Sequence, residues 1–184
     1  MQSTAPVQRG LFERIIVAFR ELPERPLISD DKEVEARYKQ WRWRILLATT
    51  ISYGFFYFCR KNLSVAMPLL AKDMGYTNTQ LGILTSLLYI TYGSSKIITG
   101  VIGDRANPKI FLAFGLFVSA GLNIAFGFST SLFALGVFWG LNGVFQAFGA
   151  PVCAKLVSVW FSAGERGTMW GIWNISHQVG GGII

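Results

Sequence analysis

Basic side chains lie inside long apolar runs of this sequence, where charged residues are rare. Arg60 interrupts the first run, Lys96 lies within the second, and the only histidine, His177, lies in the last. A cation at the centre of a transmembrane helix costs about 2.5 to 3.5 kcal/mol on insertion scales, so such residues usually line a cavity and carry function. Arg60, Lys96 and His177 are therefore candidates for a polar site inside a membrane protein.

Tyrosines share helical faces with two of these cations. Tyr53 and Tyr57 precede Arg60 by seven and three residues, and Tyr92 precedes Lys96 by four. Residues at these spacings lie on the same side of an α-helix. The pattern predicts an aromatic, hydroxyl-bearing wall around both cations, as expected of a polar cavity instead of a lipid-facing surface.

The chemistry that this wall favours is anion binding. The apolar runs contain no carboxylate that could neutralise Arg60 and Lys96, so an anion from solution is the expected counter-charge. Arginine offers a planar fork that binds two phosphate oxygens at once, whereas lysine acts as a point charge. Two alternatives remain: carboxylates from a further part of the protein could pair with the cations, and His177 could be a packing histidine.

Two amide side chains, Asn142 and Gln146, lie at a four-residue spacing on one face of the fourth apolar run. Amides between apolar helices commonly hydrogen-bond a neighbouring helix. We predict that role for both residues, with lining of the cavity as the alternative.

These side chains require helices that can hold them across a bilayer. Of all residues, 52% are apolar and only 15% are charged, which indicates an all-α, polytopic membrane protein. The predicted organisation is a cytoplasmic N-terminal segment, residues 1–44, followed by a transmembrane helical bundle, residues 45–184. The predicted helices cover about 45–70, 77–103, 110–128, 132–159 and 168–184, and the fifth is expected to be truncated.

The charges of the loops predict the orientation and narrow the partners. Lys and Arg are concentrated before the first helix, between the second and third, and after the fourth, which places these segments in the cytoplasm. The basic residues flank apolar runs instead of forming one basic face, so the expected partner is the lipid bilayer and not nucleic acid. The sequence shows no metal-ligand cluster, paired carboxylates or nucleophile-base motif, so we predict no metal, no cofactor and no enzymatic activity.

The loop after the second helix has the sequence GVIGDRANPK over residues 100–109. It resembles the signature loop of the major facilitator superfamily, in which an aspartate-arginine pair joins the second and third helices. The resemblance implies that Asp104 and Arg105 belong to a gating loop that holds the cytoplasmic side closed in one state. The alternative is helix capping and positive-inside signalling alone.

Four further segments resemble the organophosphate:phosphate antiporters of that superfamily. They are YFCRKNLSVAMP at 57–68, YGSSK at 92–96, FQAFGAP at 145–151 and WNISHQVGG at 173–181. The resemblance covers about residues 30–184 and implies the N-terminal half of a twelve-helix protein in a bacterial inner membrane. It also implies a substrate site made by Arg60, Lys96, His177, Tyr53, Tyr57 and Tyr92.

The family resemblance implies exchange of a sugar phosphate for inorganic phosphate by alternating access. A second arginine would come from a C-terminal half that function requires. The segments DKEVEARYKQW at 31–41 and PVCAK at 151–155 look closest to the hexose-phosphate transporter and sensor branch. The alternative function is therefore a membrane sensor that binds external glucose 6-phosphate and signals to a membrane histidine kinase.

Overall fold

The computed structural model describes residues 13, 17–20, 23 and 26–184. Residues 13 and 17–19 are helical, and six longer helices follow. In chain order they are α1 Asp31–Met74, α2 Asn78–Asp104, α3 Pro108–Gly127, α4 Leu132–Gln146, α5 Gly149–Trp160 and α6 Ala163–Gly182. Within the described ranges the only isolated β-bridge joins Arg20 to Ala106. The prediction of an all-α protein is confirmed.

Helix α1 begins earlier than predicted. It starts at Asp31 instead of near Ile45, and the Asp30 carboxylate accepts a hydrogen bond from the Lys32 backbone N–H at 2.9 Å. The charged stretch continues the helix because acidic and basic side chains pair along its exposed surface one turn apart, Glu33 with Arg37 and Glu35 with Lys39. The boundary at residue 44 thus falls inside a helix, and the division into two segments remains a prediction. Residues 1–12 of the first segment lie outside the described residues.

Other helix ends follow their local sequence. Thr77 and Gln80 form the capping box predicted for α2, and Pro108 occupies the start of α3. Helix α6 begins at Ala163, before the predicted Thr168, because Ser162 and Glu165 form a second capping box there. This box extends the helix backwards into a polar segment that hydropathy alone had excluded.

The predicted fourth helix, 132–159, is interrupted at residues 147–148. Pro151 has no N–H, and its ring crowds the carbonyl of Ala147, the group that residue 151 would otherwise bond in a continuous helix. The Thr99 hydroxyl donates to that carbonyl from α2 at 3.0 Å. The proline therefore separates α4 from α5, and a neighbouring helix supplies the missing hydrogen bond.

The helices pack into a bundle with two apolar clusters. One cluster joins α1, α5 and α6 around Phe56, Val152 and Trp173. The other joins α2, α3 and α4 around Leu84 and Trp139. Helix α1 also packs along α6, and α3 packs against α4. Polar side chains of α1, α2 and α6 line cavities inside the bundle, whereas Asn142 and Gln146 of α4 are fully buried.

Three helical stretches in the described part of the chain are long and apolar enough to cross a membrane: Asn78–Asp104, Pro108–Gly127 and Leu132–Trp160. Helix α1 does not qualify by composition, because Arg60 and Lys61 interrupt its apolar run. The interruption is the same feature that marks α1 as a candidate for function in a membrane protein.

The loop between α5 and α6, together with the first turn of α6, is bound to the N-terminal part of α1. Arg42 Nη2 lies 2.6 Å from Glu165 Oε1, and the Ser162 hydroxyl donates to Glu165 Oε2 at 2.8 Å. The Arg42 guanidinium also lies over the Phe161 ring, 4.9 Å from its centroid. These contacts join two segments that the predicted orientation places on the same side of the membrane.

Glu165→Gln is expected to lower the thermal midpoint of the full-length protein modestly at neutral pH and to have no effect in acid. The hydrogen bond from Arg42 holds the pKa of the Glu165 carboxyl below its usual value. The pair therefore stabilises the fold above the unfolded-state pKa of about 4.3, and this contribution is lost as pH falls through the lower, folded-state pKa.

Midpoints measured across pH test this expectation. The two curves should separate near neutrality, approach each other as pH falls below about 4.3 and converge only below the lower, folded-state pKa of Glu165. Glu33→Gln removes an exposed ion pair within α1 and serves as the control, with a smaller effect expected. A constant difference between wild type and Glu165→Gln at every pH would contradict the electrostatic explanation.

Candidate functional site

A cavity of about 620 Å³ between α1, α2 and α6 is lined by all six residues predicted as a substrate site. Helix α1 supplies Tyr53, Tyr57 and Arg60, α2 supplies Tyr92 and Lys96, and α6 supplies His177. The cavity is completed by Ile97, Gly100, Ala150, Pro151, Ala154, Trp170 and Trp173. Helical spacing brought each set onto one face, and the packing of three helices brings the faces together.

Arg60 is the buried cation of this cavity, with 8% of its surface exposed. Its guanidinium carbon lies 4.2 Å from the ring centroid of Tyr92 and 4.8 Å from that of Tyr57. Cation–π contacts of this kind favour a desolvated guanidinium without neutralising its charge. In the described residues no carboxylate lies within ion-pair distance of Arg60.

Lys96 adds a second positive charge to the same cavity. Its Nζ atom lies 5.0 Å from the centroid of the Tyr92 ring, so the two cations contact one aromatic side chain. The Tyr92 hydroxyl is 3.5 Å from that of Tyr53, which packs at the back of the cavity. The cavity therefore combines two positive charges with hydroxyl groups that can donate to an anion.

His177 packs among aromatic rings and also reaches the cavity. Its ring centroid lies 4.5 Å from Tyr57, 4.9 Å from Tyr53 and 5.0 Å from Trp173. His177 Nδ1 is 3.1 Å from the carbonyl oxygen of Asn174, which can only accept. Because Nδ1 must donate in that contact, Nε2 is the nitrogen left for a ligand.

The amide of Gln146, predicted to bond a neighbouring helix, bonds Arg60 as well. Its Oε1 accepts from Arg60 Nε at 3.3 Å and from Nη2 at 3.2 Å, while its Nε2 donates to Ser119 Oγ on α3 at 2.7 Å. Asn142 bonds the neighbouring helices α3 and α1, as predicted, through Ser119 and the carbonyl of Cys59. The four-residue spacing identified the shared face, but it did not identify Arg60 as a partner.

Two other cavities differ in chemistry. A cavity of about 680 Å³ adjoins the first, shares Tyr57 and His177 with it, and includes Lys61 and Ser64. Lys61 therefore lies beside the predicted site and not within it. A groove of about 710 Å³ between α1 and α3 has an almost wholly apolar lining, which does not suit a charged ligand.

The predicted gating residues, Asp104 and Arg105, lie outside these cavities, at an exposed end of the bundle. Lys155 Nζ donates to the Asp104 carbonyl oxygen at 2.5 Å. The next residues are covered: the Asn107 N–H donates to the Phe19 carbonyl at 2.9 Å. The gating role of the loop remains a prediction.

Metal ligation was not expected, and the described residues contain no group of three His, Cys, Asp or Glu side chains that could hold a metal ion. The two cysteines, Cys59 and Cys153, are free thiols.

Comparison with known proteins identifies the family. The sequence profile of the Major Facilitator Superfamily matches residues 49–184. A solved bacterial homologue of the human lysosomal transporter Spinster, described as inward-facing and unoccupied, superposes with a TM-score of 0.72 at 20% identity. That alignment covers 78% of this chain and 30% of the other, and it shows the fold.

Relatives with higher identity are named as a membrane sensor protein and as transporters of organic phosphates. The membrane sensor protein UhpC of Salmonella typhimurium is 46% identical over 86% of this chain and 36% of its own. A probable hexose phosphate transport protein of Chlamydia trachomatis is 48% identical over 85% and 34%, and the glycerol-3-phosphate transporter of Bacillus subtilis is 41% identical over 84% and 36%. The chain thus spans about a third of the length of these relatives.

These relatives are membrane carriers and a sensor, not enzymes, in agreement with the prediction that this chain is not an enzyme. The match over residues 49–184, the helical fold and the apolar helices together make it a membrane protein. The chain belongs to the Major Facilitator Superfamily and is similar to the organophosphate branch that its motifs predicted.

Proposed function

We propose that this chain forms the N-terminal half of a secondary transporter that exchanges a sugar phosphate for inorganic phosphate by alternating access. The observation that carries the proposal is the cavity in which Arg60 and Lys96 contact one tyrosine with no carboxylate in the described residues to neutralise them. A buried, unneutralised guanidinium with a second cation at the same cavity favours an anion, and a phosphate group supplies charge and several acceptor oxygens.

Different side chains of the cavity suit the two parts of a sugar phosphate. The Arg60 fork and the Lys96 ammonium suit the phosphate oxygens, and the tyrosine hydroxyls and His177 Nε2 suit neighbouring polar groups. The aromatic side chains of Tyr57 and Trp170 line the same cavity and offer packing surface for a sugar ring. Relatives named for hexose phosphate and glycerol-3-phosphate transport support an organic phosphate as the substrate class.

The charge of the site supports the proposal of exchange. An empty cavity with two cations is unfavourable to reorient across a low-dielectric bilayer, whereas an anion-filled cavity is close to neutral. In this proposal a C-terminal half contributes a second arginine, and the two halves rock around the phosphate. In this proposal Asp104 and Arg105 belong to the gating loop between α2 and α3, which closes the cytoplasmic side in one state.

The proposed location is the bacterial inner membrane with the N-terminus in the cytoplasm. Basic residues cluster at the end of the bundle that holds the start of α1, the α2–α3 loop and the α5–α6 loop. The opposite end, where the Tyr76 hydroxyl donates to the Thr130 carbonyl at 2.6 Å, carries few basic residues. This asymmetry is the positive-inside pattern.

A sensor is the second candidate function, favoured by the 46% identity to a membrane sensor protein. The same cavity would bind external glucose 6-phosphate, and occupancy would be reported to a membrane histidine kinase. Binding and signalling would require the conformational change without net flux.

Uptake by the purified full-length protein in proteoliposomes separates the two functions. Radiolabelled glucose 6-phosphate is expected to accumulate in vesicles loaded with inorganic phosphate and not in vesicles loaded with phosphate-free buffer. Saturable binding without uptake in either vesicle would favour the sensor. Neither binding nor uptake of glucose 6-phosphate or glycerol 3-phosphate would overturn the proposed substrate class.

A further inference from the structure

A buried chain of hydrogen bonds runs from Arg60 through three neutral side chains and back to α1. Gln146 accepts from Arg60 and donates to Ser119 Oγ at 2.7 Å, and Ser119 Oγ lies 2.5 Å from Asn142 Oδ1. Asn142 Nδ2 then donates to the carbonyl oxygen of Cys59 at 3.2 Å. Gln146, Ser119 and Asn142 are each fully buried, with no exposed surface.

The groups at the two ends of this hydrogen-bond chain, the Cys59 carbonyl and the Arg60 guanidinium, determine the direction of every hydrogen bond in it. A backbone carbonyl can only accept, so Asn142 must present its Nδ2 to Cys59 and its Oδ1 to Ser119. The Ser119 hydroxyl must then donate to Asn142 and accept from Gln146. Gln146 is left with its Oε1 facing Arg60, and a guanidinium can only donate. The two ends agree, so no member of the chain can reverse without breaking a buried hydrogen bond.

This polarity has a consequence for Arg60. The Gln146 oxygen contacts Nε and Nη2, and the rings of Tyr57 and Tyr92 cover the guanidinium, so Nη1 and the second hydrogen of Nη2 are the donors that remain for a phosphate. The acceptor is a neutral amide, so it orients the guanidinium without cancelling its charge. A carboxylate at the same position would make a similar hydrogen bond and would replace the anion as the counter-charge.

We infer that Gln146 is the positioning residue of the anion site: it holds the Arg60 fork in one orientation through a neutral, directionally locked chain and keeps the cation available to phosphate. The inference rests on the proposed function and extends it to a residue on α4 that does not line the Arg60 cavity. Ser119 and Asn142 act through Gln146, because they determine which end of its amide faces Arg60.

Two substitutions of Gln146 separate charge from orientation in the full-length protein. Gln146→Glu keeps the shape and the acceptor that faces Arg60, but it loses the donor to Ser119 and adds a charge next to Arg60, so an ion pair with Arg60 offsets the lost hydrogen bond. It is expected to weaken inorganic phosphate binding by at least about 100-fold, while the ligand-free thermal midpoint is unchanged or higher. Gln146→Leu removes the acceptor, lets the guanidinium reorient, and is expected to weaken phosphate binding by about 10-fold.

Gln80→Glu is the matched control, because it makes the same chemical change in an exposed capping box at the start of α2. It should bind phosphate as the wild type does. The readouts are equilibrium binding of inorganic phosphate, the phosphate-induced shift of the thermal midpoint, and exchange of glucose 6-phosphate. A purely structural role for Gln146 would lower the ligand-free midpoint, whereas positioning lowers the ligand-induced shift.

The outcomes distinguish this inference from the function on which it rests. If the wild type binds and exchanges phosphate, and either Gln146 variant binds phosphate with the same affinity, the inference alone is overturned. A lowered ligand-free midpoint in both variants would assign Gln146 to folding and would also overturn it. Absence of phosphate binding and exchange in the wild type would overturn the proposed function, and the inference with it.

Discussion

Arg60→Lys in the full-length protein is expected to reduce phosphate-coupled uptake of glucose 6-phosphate by at least about 100-fold. The substitution keeps the positive charge but removes the planar fork. Arg60 uses Nε and Nη2 to bond Gln146 and lies against the rings of Tyr57 and Tyr92. A single ammonium group cannot bond Gln146 in this way and still present two parallel donors to a phosphate.

The measurement is the initial rate of uptake into phosphate-loaded proteoliposomes, with the thermal midpoint recorded for each protein. Arg44→Lys is the matched control, because it makes the same change at an exposed position where the guanidinium contacts Trp41 outside the cavity. The control should transport normally. Uptake at the wild-type rate by Arg60→Lys would remove the bidentate contact from the proposed mechanism.

Gly180→Ala is expected to destabilise the full-length protein by about 2 kcal/mol or more. At this position α6 crosses α1 backbone to backbone: a β-carbon added to Gly180 would lie 2.9 Å from both the Cα and the carbonyl carbon of Gly54, and closer still to its carbonyl oxygen. A neighbouring side chain could rotate away, but a helix backbone cannot. The two helices would have to separate along the face that carries Tyr53, Tyr57 and His177.

Gly171→Ala is the matched control in the same helix, because an added β-carbon there would have no atom within 4 Å apart from its chain neighbours and its own helix backbone. It should be neutral or stabilising by up to about 1 kcal/mol, since alanine favours the helix. Thermal unfolding in detergent, followed by tryptophan fluorescence, compares the two variants. Equal midpoints for Gly180→Ala and Gly171→Ala would show that the α1–α6 crossing can relax.

Much of the architecture follows from local sequence. Apolar runs predicted the helices, and the capping box of Thr77 and Gln80 placed the start of α2. The sequence also contained the reasons for three wrong boundaries, since Asp30 caps α1, Pro151 interrupts the fourth span, and Ser162 with Glu165 caps α6. Hydropathy alone missed them because it does not register hydrogen bonds at helix ends or the absence of a donor within a helix.

The candidate site was predictable to the level of helix faces. A period of 3.6 residues determines which side chains share a face, so the spacing alone groups Arg60 with its tyrosines and Lys96 with Tyr92. Their assignment as substrate-binding residues remains a proposal, because the cavity shows their arrangement and not a bound ligand. The spacing could not tell which helices would face one another around them.

The sequence by itself determined the fold class, the placement of Arg60 and Lys96 within apolar runs and the absence of carboxylates from those runs. Only the tertiary structure decided that Gln146 orients Arg60, that Gly180 meets Gly54, and that Arg42 pairs with Glu165. The physical reason is the distance along the chain over which each interaction acts. Helical propensity, capping and amphipathicity act within a few residues, whereas these contacts join residues far apart in the chain and depend on where and how closely two helices cross.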